Sequence, residues 1–149
     1  MDEILTMKNV SLIYHTPKTE ITAIENVSFT LSRGEFVSLI GPSGCGKSSI
    51  LSIVAGLLRP SGGEVFLRGE KVRKPSASVG YMFQRDELFP WRTIERNAML
   101  PLEISGKKES GNKTRVNDLL LKYGLDDFRR RYPSELSGGM RQRAALIRT

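Results

Sequence analysis

Eight consecutive residues carry the plainest chemistry in this sequence. Residues 41–48 read Gly-Pro-Ser-Gly-Cys-Gly-Lys-Ser, the pattern GxxxxGK[ST]. A loop of this kind holds a nucleoside triphosphate by its phosphates, together with a magnesium ion. Backbone N–H groups along the turn wrap the phosphates, and the N-terminus of the next helix favours anions. Gly41, Gly44 and Gly46 are expected to take backbone angles that a Cβ would resist. Lys47 is placed to reach the β- and γ-phosphates, Ser48 to offer its hydroxyl to Mg²⁺, and Ser49 to reach the α-phosphate. Pro42, Ser43 and Cys45 complete the cradle. The competing reading is a glycine-rich turn that binds nothing. A chance match in a chain this size has a probability on the order of one in a few hundred.

Such a loop needs a strand before it and a helix after it. Phe36–Ile40 (Phe-Val-Ser-Leu-Ile) reads as a buried strand, and Lys47–Leu58 has Ile50, Ile53, Val54, Leu57 and Leu58 at helical spacing. Upstream, Ile4–Tyr14 and Ile21–Leu31 read as strands around a polar loop, His15–Glu20. Arg33-Gly34-Glu35 is a turn. Pro60 to Gly63 breaks the first helix, and Glu64–Leu67 and Val79–Gln84 read as further strands. The predicted class is therefore α/β, with an added antiparallel β-layer at the N-terminal side.

From Thr93 the texture becomes helical. Thr93–Leu100 is expected as a helix stopped at Pro101, and Ser105–Gly111 as a polar linker. Lys113–Tyr123 places Val116, Leu119, Leu120 and Tyr123 on one face, with Gly124 as its stop. Leu136-Ser137-Gly138-Gly139-Met140 precedes a helical stretch, Arg141–Thr149. A serine and two glycines at a helix start suit anion capture, although the same triplet is also an ordinary helix-start turn. The expected division is 1–92 for the β-layer and phosphate-loop core, and 93–149 for a helical subdomain. No internal repeat or low-complexity tract is visible.

The chain has 149 residues and a formal net charge of +7. Its basic residues are scattered, with only Arg129–Arg131 as a run, and no recognition helix or aromatic-basic interleaving accompanies them. A solvated basic surface is expected rather than a nucleic-acid site. No apolar stretch approaches the ~18 residues of a membrane span, and Met-Asp-Glu-Ile lacks the basic start of a secretory signal. The single cysteine, Cys45, cannot form an internal disulfide and reads as a small residue fitting a tight turn. Oxidation there would obstruct nucleotide access. Leu88, Phe89 and Trp91 form an apolar cluster that reads as a docking surface rather than core.

The phosphate loop followed by Leu136–Met140 resembles the ATP-binding-cassette (ABC) family, whose signature begins Leu-Ser-Gly-Gly. The resemblance runs from Leu5 to Thr149. It implies that Tyr14 stacks on adenine, and that Gln84 contacts Mg²⁺ and the attacking water and connects to a transmembrane partner. It also implies that Ser137, Gly138 and Gly139 hold the γ-phosphate of ATP bound to a second subunit. Phe83–Asp86 and Leu88–Thr93 look like the importer branch serving nitrate, sulfonate, taurine and related solutes. Two positions depart from the family pattern: Ser49 stands where threonine is usual, and Met140 where glutamine is usual.

The resemblance thus implies an ATPase subunit of an importer, with ATP and Mg²⁺ as ligands, on the cytoplasmic face of the membrane. Its expected partners are a permease docking near Gln84–Thr93, a second ATPase subunit arranged head to tail and, indirectly, a solute-binding protein. The family further has, after the signature helix, an apolar strand ending Asp-Glu, with the glutamate as general base, and then a switch histidine. These are not in the chain. His15, the only histidine, beside Tyr14, reads as a surface-loop residue. The expectation is an incomplete domain lacking C-terminal strands, unable to hydrolyse ATP efficiently by itself, with Phe36–Ile40 short of neighbours in its sheet. A nucleotide-binding module acting in translation or DNA repair, or a non-catalytic nucleotide-binding fragment, are the competing readings.

Overall fold

A computed structural model of the chain describes residues 2–106 and 110–149. The expected linker 105–111 lies in part outside the described residues. The chain divides into two compact units between Val79 and Gly80.

The first unit is built on a four-stranded antiparallel sheet in the order β2-β1-β3-β4. Its strands are β1 (Glu3–His15), β2 (Glu20–Ser32), β3 (Gly62–Leu67) and the short β4 (Glu70–Lys71). Leu5 and Met7 of β1 face the core at period two, and so do Val10 and Leu12, but the two pairs are out of phase. Asn9, at φ 49°, supplies the extra residue that shifts the phase. Asn26, at φ 48°, makes the compensating bulge in β2. Asparagine tolerates this left-handed region better than most residues, and each bulge re-aims the strand so that one face stays apolar. Ile24, Val65 and Ile53 of the helix α1 (Lys47–Val54) close the core.

Three expectations need correction here. Helix α1 stops at Val54 rather than Leu58, because Gly56 takes φ +73° and turns the chain away; Leu57 is left 45% exposed. Phe36–Ile40 is not a strand, and Phe36 and Ile40 are 91% and 93% exposed. Val79–Gln84 is not a strand either. Apolar composition alone does not make a strand: its N–H and C=O groups need a ladder partner, and neither segment has one among the described residues.

The second unit is helical: α2 (Ile94–Ala98), α3 (Leu100–Ile104), α4 (Ser110–Lys122) and α5 (Gly138–Arg148), with single 3₁₀ turns at Asp126–Phe128 and Pro133–Glu135. Thr93 caps α2, its side chain accepting from Arg96 N. Pro101 does not end this stretch as expected. It sits in the first turn of α3, where its missing N–H has no helical partner to lose. Ile94, Leu120, Leu125 and Ala144 are fully buried in the core of this unit. Leu88 joins them at 7% exposure, which corrects its place in an exposed cluster. Phe89 is half-buried and stacks on Trp91 at 5.0 Å, and only Trp91 is largely exposed, at 71%.

Candidate functional site

In the first unit the phosphate-loop residues form a tight turn that runs directly into α1. Gly44 and Gly46 have φ +83° and +90°. Gly46 is also the N-cap of α1, and a Cβ there would lie 2.5 Å from the carbonyl oxygen of Ala23 in β2. Conformation and space thus both demand glycine. Gly41 does not take a positive φ; its constraint is the Cys45 Sγ, 2.8 Å from where its Cβ would stand. No side chain caps the α1 N-terminus, and its first turn holds no acidic residue. The unpaired N–H groups at that end therefore keep their positive field for an anion.

Lys47 lies folded back over the loop. Its Nζ donates to the carbonyls of Gly41 (2.8 Å) and Pro42 (2.6 Å) and lies 3.4 Å from Cys45 Sγ. The ammonium is thereby poised at the turn rather than free in solvent. Ser43 and Ser48 are exposed. Tyr14 is brought to the same place from β1, 35 residues away in sequence: its hydroxyl lies 3.3 Å from Ser49 Oγ. Tyr14 is 41% exposed, so an aromatic residue open to solvent flanks the loop. His15 is the last residue of β1, paired with Glu20 at the start of β2, rather than the loop residue expected; its Nδ1 lies 2.9 Å from Glu20 Oε1. The fit is to a phosphorylated ligand with a flat aromatic part. Ser48 lies in the first turn of α1. Among the described residues no cluster of three or more His, Cys, Asp or Glu side chains could hold a metal by itself.

Gln84 and Ser137–Gly139 belong to the second unit. Ser137 caps α5 by accepting from Met140 N at 3.3 Å, and Gly138 and Gly139 form the first exposed turn of that helix. The Met140 backbone, not its side chain, makes this contact. Gln84 starts a segment that α5 grips at four points. Gln142 Nε2 donates to Gln84 O (3.2 Å), and Arg141 Nε to Asp86 Oδ2 (2.9 Å). Arg148 donates to Asp86 O (2.8 Å) and Glu87 O (2.5 Å). Burial lowers the Arg148 pKa, opposed by the charges of Asp86 and Glu87.

Sequence reasoning missed Asp86, Arg141 and Arg148. A usable signal existed: two arginines seven apart on a helix share a face. It also missed Asn97, the one fully buried polar side chain among the described residues. Its Oδ1 accepts from Phe89 N (2.8 Å), and its Nδ2 faces the carbonyls of Phe89, Arg92 and Thr93, each at 3.1 Å. That amide folds the Phe89–Thr93 loop around itself. An asparagine inside an otherwise helical stretch was the hint, since that residue competes for backbone bonds.

Comparison with known proteins gives a consistent result. The family model described as ABC transporter matches residues 24–149. The chain is 45% identical over 145 residues to the uncharacterized ABC transporter ATP-binding protein YtlC of Bacillus subtilis, covering 97% of this chain and 56% of that protein. It is 41% identical over 144 residues to the aliphatic sulfonates import ATP-binding protein SsuB of Bacillus thuringiensis, with the same coverage. Among solved structures, the dimeric, post-hydrolysis ATP-binding cassette MJ0796 bound to ADP and Pi superposes with a TM-score of 0.87 at 33% identity. That match covers 97% of this chain and 68% of the other. The chain spans about half the length of the curated relatives it matches, 56% in both cases. Among the described residues, no helix is long and apolar enough to cross a membrane.

Proposed function

Since this chain belongs to the ABC transporter ATP-binding family, we propose that it is the nucleotide-binding part of an importer's ATPase subunit, coupling ATP to uptake of a small sulfonate-like solute. The observation that carries the reading is the glycine turn at the uncapped start of α1, with Lys47 folded across it and Tyr14 at its side. The solute class rests on the likeness to the sulfonate-import relative.

In this reading ATP lies with its adenine on the Tyr14 ring and its phosphates in the turn Gly41–Gly46. Stacking supplies a large flat contact area. The Lys47 ammonium exchanges the carbonyls of Gly41 and Pro42 for the β- and γ-phosphate oxygens, a stronger charge-assisted contact. Ser48 would hold magnesium at the phosphates, where the ion would neutralise phosphate charge. Ser137 and Gly139 of a second subunit would close on the γ-phosphate from the other side. Phosphoryl transfer needs positioning and charge stabilisation more than covalent help from the protein. The residues of this chain supply binding; efficient hydrolysis is assigned to the whole cassette. The segment Gln84–Thr93 is the proposed permease contact, with Trp91 as its exposed apolar side chain. In this reading the subunit is peripheral on the cytoplasmic face, with a solute-binding protein as an indirect partner.

Calorimetric titration with MgATP tests the reading. Lys47→Ala should weaken binding by about ten- to a hundredfold, the usual cost of one charged hydrogen-bonding partner. Equal affinity in the variant would sink it. ATP turnover by residues 1–149 at the rate of a full-length cassette would refute the assignment of hydrolysis to the whole.

A further inference from the structure

Ser49 lies one residue beyond the hydroxyl offered to magnesium, and its Oγ meets the Tyr14 hydroxyl at 3.3 Å. The two ends of the ligand site, the aromatic face and the phosphate turn, are thus joined by a side-chain bridge. We infer that Ser49 is a positioning residue for the base, its hydroxyl holding the Tyr14 ring beside the phosphate turn. This deepens the proposed nucleotide site and rests on that reading.

The physical argument starts from exposure. Tyr14 is near the end of β1, paired with Ile21 and 41% exposed, so packing alone does not lock its ring. A ring that must be ordered when a base arrives loses rotamer freedom at that moment, which weakens binding. Tethering the hydroxyl at the far end of the ring removes part of that cost and leaves the ring faces open. The anchor is itself rigid. Ser49 is in the first turn of α1, and Gly46 seats that turn against the Ala23 carbonyl of β2. β2 pairs with β1, the strand that carries Tyr14, so both sides of the bridge are fixed to one ladder. Serine suffices because only the hydroxyl is used.

The test uses the 149-residue chain and two ligands, ATP and inorganic tripolyphosphate, which lacks the base. Ser49→Ala should lower the ratio of ATP to tripolyphosphate affinity about fivefold, the scale of one neutral hydrogen bond. Tyr14→Phe, which keeps the ring, should do the same, and the double variant should lose no more than either single one. Ser49→Thr should restore the ratio. A Ser49→Ala change that weakens both ligands equally would overturn the inference and assign Ser49 to the phosphates. So would independent, additive losses in the double variant. If the unaltered chain binds neither ligand, the nucleotide reading falls and this role with it; if it binds ATP and the ratio stays constant, only the role of Ser49 falls.

Discussion

Arg141 donates from Nε to Asp86 Oδ2 at 2.9 Å and from Nη1 to the carbonyl of Leu136 at 2.8 Å. One side chain therefore ties the residue before Ser137 to the segment that begins at Gln84. The ion pair is only about a third and a quarter exposed, so solvent screens it less than a surface pair. Arg141→Ala should destabilise the helical unit by about 1–3 kcal/mol, since the partly buried Asp86 carboxylate loses its direct ion-pair partner and keeps only the nearby charge of Arg148. Denaturant midpoints give the magnitude. Amide exchange should rise at 84–88 and far less in α4.

Asn97 makes a stronger prediction because it is fully buried. Asn97→Leu keeps the approximate volume but removes the acceptor of Phe89 N and the donor to Arg92 O, while the Phe89 and Thr93 carbonyls keep backbone N–H partners. The expected cost is about 2–4 kcal/mol, more than one lost hydrogen bond, because two partly buried backbone groups lose their side-chain partner. Trp91, stacked on Phe89, is a built-in fluorescence reporter of the loop. An unshifted emission and midpoint in the variant would contradict this role.

Gly46→Ala addresses the phosphate turn directly. The added Cβ would fall 2.5 Å from the Ala23 carbonyl, at φ +90°. Neither atom is the end of a flexible side chain, so the turn or β2 must shift. We expect a loss of at least about 1 kcal/mol in stability, together with loss of nucleotide binding. Circular dichroism melts paired with ATP titration will separate the two effects.

Glu135 gives a pH dependence. The backbone N–H of Tyr132 lowers the pKa of its carboxyl, with help from Arg131. A depressed acid contributes stability that is complete above its unfolded value, about 4.3, and disappears as pH falls through the lower folded value. Glu135→Gln should therefore destabilise at pH 7 and make little difference well below that window. A variant effect that grows on acidification would have the wrong sign.

Much of this protein is legible in its sequence alone. The octet 41–48 was readable as a tight glycine turn running into a helix, and its reading as a triphosphate cradle rests on local chemistry: a turn, a lysine and a hydroxyl close together in sequence. The long strands around His15–Glu20 and the helix face Val116–Leu120 were likewise readable from periodicity, since each element's own residues set its apolar face. Their bulges and ends were less so, because Asn9 and Asn26 act through pairing across the ladder.

What depended on partners was not legible. Phe36–Ile40 carries a strand's composition, yet a strand exists only when another backbone accepts its hydrogen bonds, and none among the described residues does. Leu88 and Trp91 looked alike in sequence, and packing against the helices buried one and left the other exposed. Local chemistry is written in neighbouring residues; the contacts of Asp86 with Arg141 and of Tyr14 with Ser49 join residues 55 and 35 positions apart, and only the folded chain brings them together.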